Sequence, residues 1–427
     1  VPNLIDHLRA APEAAVRLLL GACIRREDGS FVLTLEGRET RVSPEVLEAA
    51  REVAGRISQR PRGPLGAQDI LELRHEAEDL FLERLFGKSG LPRVLFVPAG
   101  ISASGFYRAM WPADLMHGEG ALAHFTRSLD LAKALRYDIL WIQLVTTPIL
   151  LEIVLKAQAA GVRLVYDVDD RLDAIPGENQ AITVYGTPEK QAEIRAITQA
   201  ADLVTVSTAP LAAHMAVTAR RVLVLPNMIP ANVWPRGHPP DPRTVRILWA
   251  GSPTHKRDLA IAAPAIRDVL IRHAGRVRFT LFGERLPEAL AEVYGQVDLR
   301  EPVDFEDYAD ALASIGADFA IAPLEPNAFN ESKSAIKALE YAAAGYPMLL
   351  SPVGEYPDVV AEGLPAELVP RDGWEAALER MIARTSKERR QLGDASTRWV
   401  CARRCIGTSK ARQWTEAARA LLSDGGG

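Results

Sequence analysis

Cysteine is scarce in this chain, with three in 427 residues: Cys23, Cys401 and Cys405. So few exclude a disulfide framework and suit a reducing compartment. Cys401 and Cys405 stand four apart, a spacing that predicts one helix face, with no His or Cys cluster nearby, so they read as packing residues rather than metal ligands. A long hydrophobic run is also lacking. The most apolar stretch, residues 139–155, contains Gln143, Pro148 and Glu152. It reads as a buried strand and a following helix, not a membrane span. No cleavable leader is visible at the start. Charge of one sign is not in excess either: the net value of −5 gives no support for a nucleic-acid or anionic-membrane partner. Neither a nucleophile elbow nor a zinc site is present. What is there, 48% hydrophobic and 25% charged residues, is the composition of a soluble globular protein. At this length two or three domains are expected.

Residues 1–90 form a unit of their own, mainly helical. Helices are expected among residues 4–24, from Ser43-Pro44 onward, and over 68–86, where apolar residues form a stripe. The turn signal Glu27-Asp28-Gly29-Ser30 predicts a small hairpin between residues 23–26 and 31–35. No chemical motif occurs in this unit, which reads as an accessory, oligomerisation or acceptor-recognition module. From residue 91 the pattern changes. Short apolar strands are expected at 93–97, 137–143, 163–167, 203–207 and 222–226, separated mostly by helical segments. A second series follows at 246–251, 278–282, 318–323 and 348–351. This alternation predicts α/β architecture: two Rossmann-like halves with doubly wound parallel sheets facing a cleft. A Pro/Gly-rich stretch at 234–240 marks the linker, giving segments 1–90, 91–236, 237–400 and a final helix in 401–427.

The most informative stretch runs from Ser332 to Ser351. Ser332 or Ser334 can cap a helix whose free N–H groups would attract phosphate. Glu340 lies two turns on and can accept hydrogen bonds from two adjacent hydroxyls, such as those of a ribose. Together they suggest a nucleotide-sugar pocket.

This segment resembles the donor-binding helix of retaining GT-B glycosyltransferases of family 4. Lys337, Glu340, Tyr341, Gly345 and Pro347 fit the pattern, whereas Ser332 stands where many members carry a first glutamate. The likeness extends loosely over residues 91–424. It implies a GT-B fold, with an acceptor half first and a nucleotide-sugar half second. It also implies a last helix that crosses back to the first half.

The loop Gly251-Ser252-Pro253-Thr254-His255-Lys256-Arg257 places two bases beside a glycine turn, which suits a diphosphate. Ser252 replaces the arginine usual in the family, and Lys256 or Arg257 can supply the charge. His255 reads equally as a phosphate contact or a surface histidine. In the first half, Gly100 to Gly105 leads into Tyr107 and Arg108, and by resemblance this loop faces the donor and opens toward the acceptor. Gln143 occupies a position where many relatives have histidine; it can bond a sugar hydroxyl but cannot act as a base. Asp167-Val168-Asp169-Asp170 has metal-site spacing, yet in a GT-B enzyme these acids fall on the acceptor side and catalysis needs no metal.

The expected function is therefore transfer of a sugar, hexosyl in type, from a UDP- or GDP-sugar to a hydroxyl acceptor, most readily a glycan. Retention and the absence of a required metal or other cofactor are expected. Gln143, Lys256 and Lys333 are the candidate catalytic residues. Gly251, Thr254, His255, Lys256, Ser332, Lys333, Ser334, Lys337 and Glu340 are the donor-binding candidates. Gly105, Tyr107, Arg108, Asp167, Asp169 and Asp170 are expected to line the acceptor side. Alternatives are a sugar-nucleotide epimerase, a non-catalytic sugar-binding subunit, and a glycosyltransferase acting on a modified nucleic-acid base. The expected location is the cytoplasm, in solution or peripheral to a membrane, with residues 1–90 available for homo-oligomerisation.

Overall fold

The computed structural model describes residues 91–423, apart from 101, 118–119, 145–146, 231–232, 242 and 407, together with three short strands before them. The helices expected in the first ninety residues lie outside the described residues. The three strands are β1 (Cys23–Arg25), β2 (Phe31–Leu35) and β3 (Arg38–Arg41). β1 and β2 pair antiparallel across the predicted turn, and β3 adds antiparallel to β2. Residues 1–91 form one compact unit and residues 92–427 another.

The second unit contains two six-stranded parallel sheets. The first uses β4 (Arg93–Val97), β5 (Leu122–Phe125), β6 (Ile139–Gln143), β7 (Arg163–Val168), β8 (Leu203–Val206) and β9 (Val222–Val224), in the order β5-β4-β6-β7-β8-β9. A short strand, β10 (Ile229–Pro230), follows. The second sheet uses β11 (Val245–Ala250), β12 (Val277–Phe282), β13 (Val297–Arg300), β14 (Phe319–Ala322), β15 (Met348–Leu350) and β16 (Glu367–Leu368), in the order β13-β12-β11-β14-β15-β16. The central strands are near-continuous apolar runs because helices cover both faces of a parallel sheet. All five residues of β6 are buried, Gln143 included.

In each sheet the strand order reverses beside the first strand of the half, at β4 and at β11. Open α/β sheets bind ligands in the crevice at such switch points, beyond the carboxyl ends of the strands. The segments that leave those ends build the site. After β4 a helical stretch spans residues 103–117, ending in α1 (Trp111–His117), with its middle part, Phe106–Met110, wound as a π-helix. α2 (Pro188–Ala200) and α3 (Ala209–Met215) flank β8 in the chain. In the second half, α4 (Lys256–Arg272) follows β11 and α5 (Phe305–Ser314) precedes β14. α6 (Ile336–Ala344) leads to β15 and is closed by Gly345 in the left-handed region, at φ 81°.

After α7 (Ser386–Arg403), a short strand outside both six-stranded sheets, β17 (Cys405–Ile406), pairs in parallel with β10. The final helix, α8 (Thr408–Ser423), then packs Trp414, Ala418 and Leu421 into a core with Val94, Phe96 and Trp141 of the first half. Among the described residues no helix is long and apolar enough to cross a membrane.

Candidate active site

The segment after β14 carries the strongest sequence signal, and its backbone differs from the expectation. Ser332 closes a 3-10 turn (Asn330–Ser332), and Lys333 is extended at φ −72° and ψ 142°. That extended residue separates the turn from α6, which starts at Ile336 behind Ala335. Neither Ser332 nor Ser334 therefore caps the helix. The backbone N–H of Ala335 instead donates to Glu355 Oε2 at 2.8 Å, and Arg404 pairs with Glu355 at 3.0 Å. The serines tie the two halves together. Thr208 Oγ1 donates to the Ser332 carbonyl at 2.8 Å, and Asn227 Nδ2 donates to Ser334 Oγ at 2.9 Å.

Glu340 sits in the second turn of α6 and is 5% exposed. Tyr107 of the first half donates its hydroxyl to Oε1 at 2.9 Å, and Tyr308 of α5 donates to Oε2 at 3.3 Å. Around them Phe305 stacks on Tyr308 and meets Phe106, Tyr107 and Trp111. Burial lifts the Glu340 carboxyl to about 7, against the opposing pull of Tyr107, Lys337 and Tyr308. An unfolded glutamic acid ionises near its ordinary value of 4.5, so between these values the folded chain holds the extra proton. This contribution to stability is full below the unfolded value and is lost as pH rises through the folded one. Urea denaturation is expected to show wild type losing stability relative to Glu340→Gln between about pH 5 and about pH 8. A pH-independent difference would mean the carboxylate is ionised throughout.

Lys337 lies 4.6 Å above the Trp249 ring, and burial lowers its ammonium to about 8. Gly251 makes this approach possible: a Cβ there would stand 2.7 Å from the Trp249 ring and would collide with the Lys337 ammonium. Lys333 pairs with Asp170 of the first half at 3.1 Å and rests 4.5 Å over the Phe329 ring. His255 Nδ1 lies 2.8 Å from Asp258 Oδ2. Burial first, and Lys337 next, lower the imidazole to about 4, so it is neutral at pH 7. Glu340, Lys337, Lys333 and His255, with Ser104, Tyr107, Asp169, Asp170 and Ser334, line a cavity of about 150 Å³ between the halves. Burial, with Asp170 and Asp167 adding repulsion, raises Asp169 to about 7, and its Oδ1 has no hydrogen-bond partner. Among the described residues no three His, Cys, Asp or Glu side chains converge as a metal-binding group.

Residues 244–386, most of the second half, match the family described as Glycosyl transferases group 1. The chain has the GT-B fold, and its second half carries a glycosyl transferase group 1 domain. Its architecture is shared with solved structures of low sequence identity. Sucrose-phosphate synthase from Thermosynechococcus elongatus aligns with a TM-score of 0.53 and 14% identity, over 78% of this chain and 100% of that one. HepE from Anabaena, solved in complex with UDP and glucose, gives 0.57 and 11%, over 77% of this chain and 100% of that one. A glycosyltransferase from Rickettsia africae gives 0.55 and 11%, over 78% and 99%. Among curated proteins none matches the sequence.

Several residues expected at the site are held in the framework of the fold. Gln143 is fully buried; its Oε1 accepts the Ala99 N–H at 2.8 Å and its Nε2 reaches Ser104 Oγ at 3.4 Å. It steadies the glycine loop and presents no group to a sugar. Arg108 and Asp167, expected on the acceptor side, form an ion pair with both side chains 0% exposed. Gly105 is a packing glycine, because a Cβ there would collide with the Gly100 carbonyl. Thr254 and Lys256 line a separate small cavity beside Pro176, Asn179 and Phe329, and not the one that holds Glu340. The sequence reading missed Tyr308, Thr208 and Asn227. No local signal marks them, since their partners lie 32, 124 and 107 residues away.

Proposed function

We propose that this glycosyltransferase moves a sugar from a UDP- or GDP-sugar to a hydroxyl of a glycan acceptor, with retention and without a bound metal. The observation that carries this reading is Glu340 at the base of a cavity that also holds Lys333 and Lys337. One buried carboxylate and two ammonium groups match the two ends of a nucleoside diphosphate: adjacent ribose hydroxyls and a dianionic bridge. In this reading the ribose hydroxyls take over the hydrogen bonds that Tyr107 and Tyr308 now make to Glu340. Lys333 and Lys337 offset charge that grows on the departing phosphate. The acceptor hydroxyl attacks from the side the diphosphate leaves, and the leaving oxygen takes its proton. The protein then contributes orientation and electrostatic stabilisation. Asp169 and Asp170 are the first-half groups on the acceptor side of the cavity. Lys256 stands outside it and has no assigned part in the transfer.

The cavity of about 150 Å³ is smaller than ligand pockets of roughly 300–1,000 Å³. Donor entry therefore requires the halves to part. Calorimetric titration with UDP, GDP and their sugars, followed by a transfer assay with the tightest donor, tests the reading directly. Failure of every nucleotide to bind would refute it. Activity is expected to survive EDTA and to rise no more than marginally with Mg²⁺. Complete loss in EDTA with rescue by Mn²⁺ would instead assign a metal to the diphosphate. The scarcity of cysteine fits a cytoplasmic setting. Residues 1–90 remain the segment we assign to self-association.

A further inference from the structure

A second cavity, of about 250 Å³, lies in the first half beyond Asp170, between the end of β7 and the helices α2 and α3. Asp170 lines both this cavity and the one that holds Glu340. The two spaces thus share a wall. Leu172, Ile194 and Met215 give the second cavity an apolar floor, and Gln191, Arg195 and Thr218 contribute polar edges. Its size is below the roughly 300 Å³ at which pockets for drug-sized ligands begin, so it suits a single small ring.

The charges sort the ligand further. Asp170 is paired with Lys333 at 3.1 Å. Asp173 has His214 at 3.1 Å and Arg171 at 3.3 Å. Both acids in the lining are therefore compensated. Arg195 is exposed and has no ion-pair partner among the described residues. The unspent charge of the cavity is positive, and a guanidinium favours a planar or tetrahedral oxyanion. Gln191 is held in place because its Nε2 donates to the carbonyls of Leu172 and Tyr185, at 2.9 and 2.8 Å. Its amide oxygen is left to accept from a ligand hydroxyl.

We propose that this cavity is an acceptor subsite for one hydroxylated ring of monosaccharide size bearing a negative charge. Its place in the reaction rests on the donor reading above, because the shared wall at Asp170 would put a ring in this cavity next to the transferred sugar. Binding of the ring itself does not need the donor.

The test is calorimetric titration of the full chain with glucuronate, glucose 6-phosphate and neutral glucose, without nucleotide, and separately with UDP and GDP. At least one of the two anions is expected to bind roughly tenfold or more tightly than glucose. The tighter anion distinguishes a carboxylate from a phosphate substituent. Arg195→Ala is expected to reduce that anion to the level of glucose, Arg195→Lys to restore part of the difference, and Thr218→Phe to block all three sugars. None of these changes should alter nucleotide affinity. Equal binding of glucose and the anions, or unchanged anion affinity in Arg195→Ala, would overturn the subsite. Because Arg195 is exposed, its variants are not expected to unfold the chain, which keeps the test decisive if Thr218→Phe misfolds. Nucleotide binding without anion binding rejects the subsite and keeps the donor reading. Anion binding without nucleotide binding does the reverse.

Discussion

Arg108→Ala is expected to destabilise the second unit by about 3–5 kcal/mol, the cost of stripping one partner from a buried ion pair. Arg108 Nε and Nη2 donate to the two oxygens of Asp167 at 2.9 and 2.7 Å. Nη1 donates to Asn227 Oδ1 at 3.1 Å and to the Leu225 carbonyl. Asp167 also accepts from Thr205 Oγ1 at 2.6 Å. Removing the guanidinium leaves a buried carboxylate with Thr205 as its remaining side-chain donor, and an orphaned Leu225 carbonyl. A typical domain is stable by only about 5–15 kcal/mol, so the loss is a large share. Replacing both members with apolar residues, Arg108→Met with Asp167→Leu, is expected to recover much of it. Urea denaturation of the three proteins decides the matter. A loss below about 1 kcal/mol for Arg108→Ala would class the pair with weak surface bridges.

Glu340→Gln is expected to weaken binding of the preferred nucleotide by about 1.5–3 kcal/mol, or roughly tenfold or more, with the fold retained. The glutamine keeps the size of the side chain and removes the charge that strengthens hydrogen bonds from ribose hydroxyls. Tyr107→Phe is expected to act in the opposite direction. It deletes the 2.9 Å hydrogen bond that the nucleotide has to displace, while the ring keeps its place against Trp111 and Phe305. Calorimetry should give tighter nucleotide binding for Tyr107→Phe, and no effect of that change in a Glu340→Gln background. Weaker binding in Tyr107→Phe would show that the phenol holds the nucleotide rather than competing with it.

The two sheets were legible because their inner strands are uninterrupted apolar runs, such as Ile139 to Ile142. β5, β13 and β16 escaped notice because His124, Asp298, Arg300 and Glu367 break up short strands toward the sheet edges. Segment 332–351 was legible for its local pattern of hydroxyls, helix, left-handed glycine and strand. The helix start within it was misplaced because extended Lys333 is stabilised by partners far along the chain, including Asp170. The burial of Gln143 and Asp167 was hidden from the sequence for a related reason. A polar residue at the end of an apolar strand reads the same whether it faces a cleft or a buried partner. Only the fold supplies Ala99 to Gln143 and Arg108 to Asp167.

The two tyrosines on Glu340 also bear on what happens after transfer. With phenol hydroxyls ready to reclaim the carboxylate, the spent nucleotide would be in competition with the protein's own side chains from the moment the sugar has left. Release would then be assisted from within, while the donor, which presents the same ribose, is weakened to the same extent. An enzyme of this design trades donor affinity for ease of product release, and Tyr107→Phe would be the variant that holds both nucleotides longer.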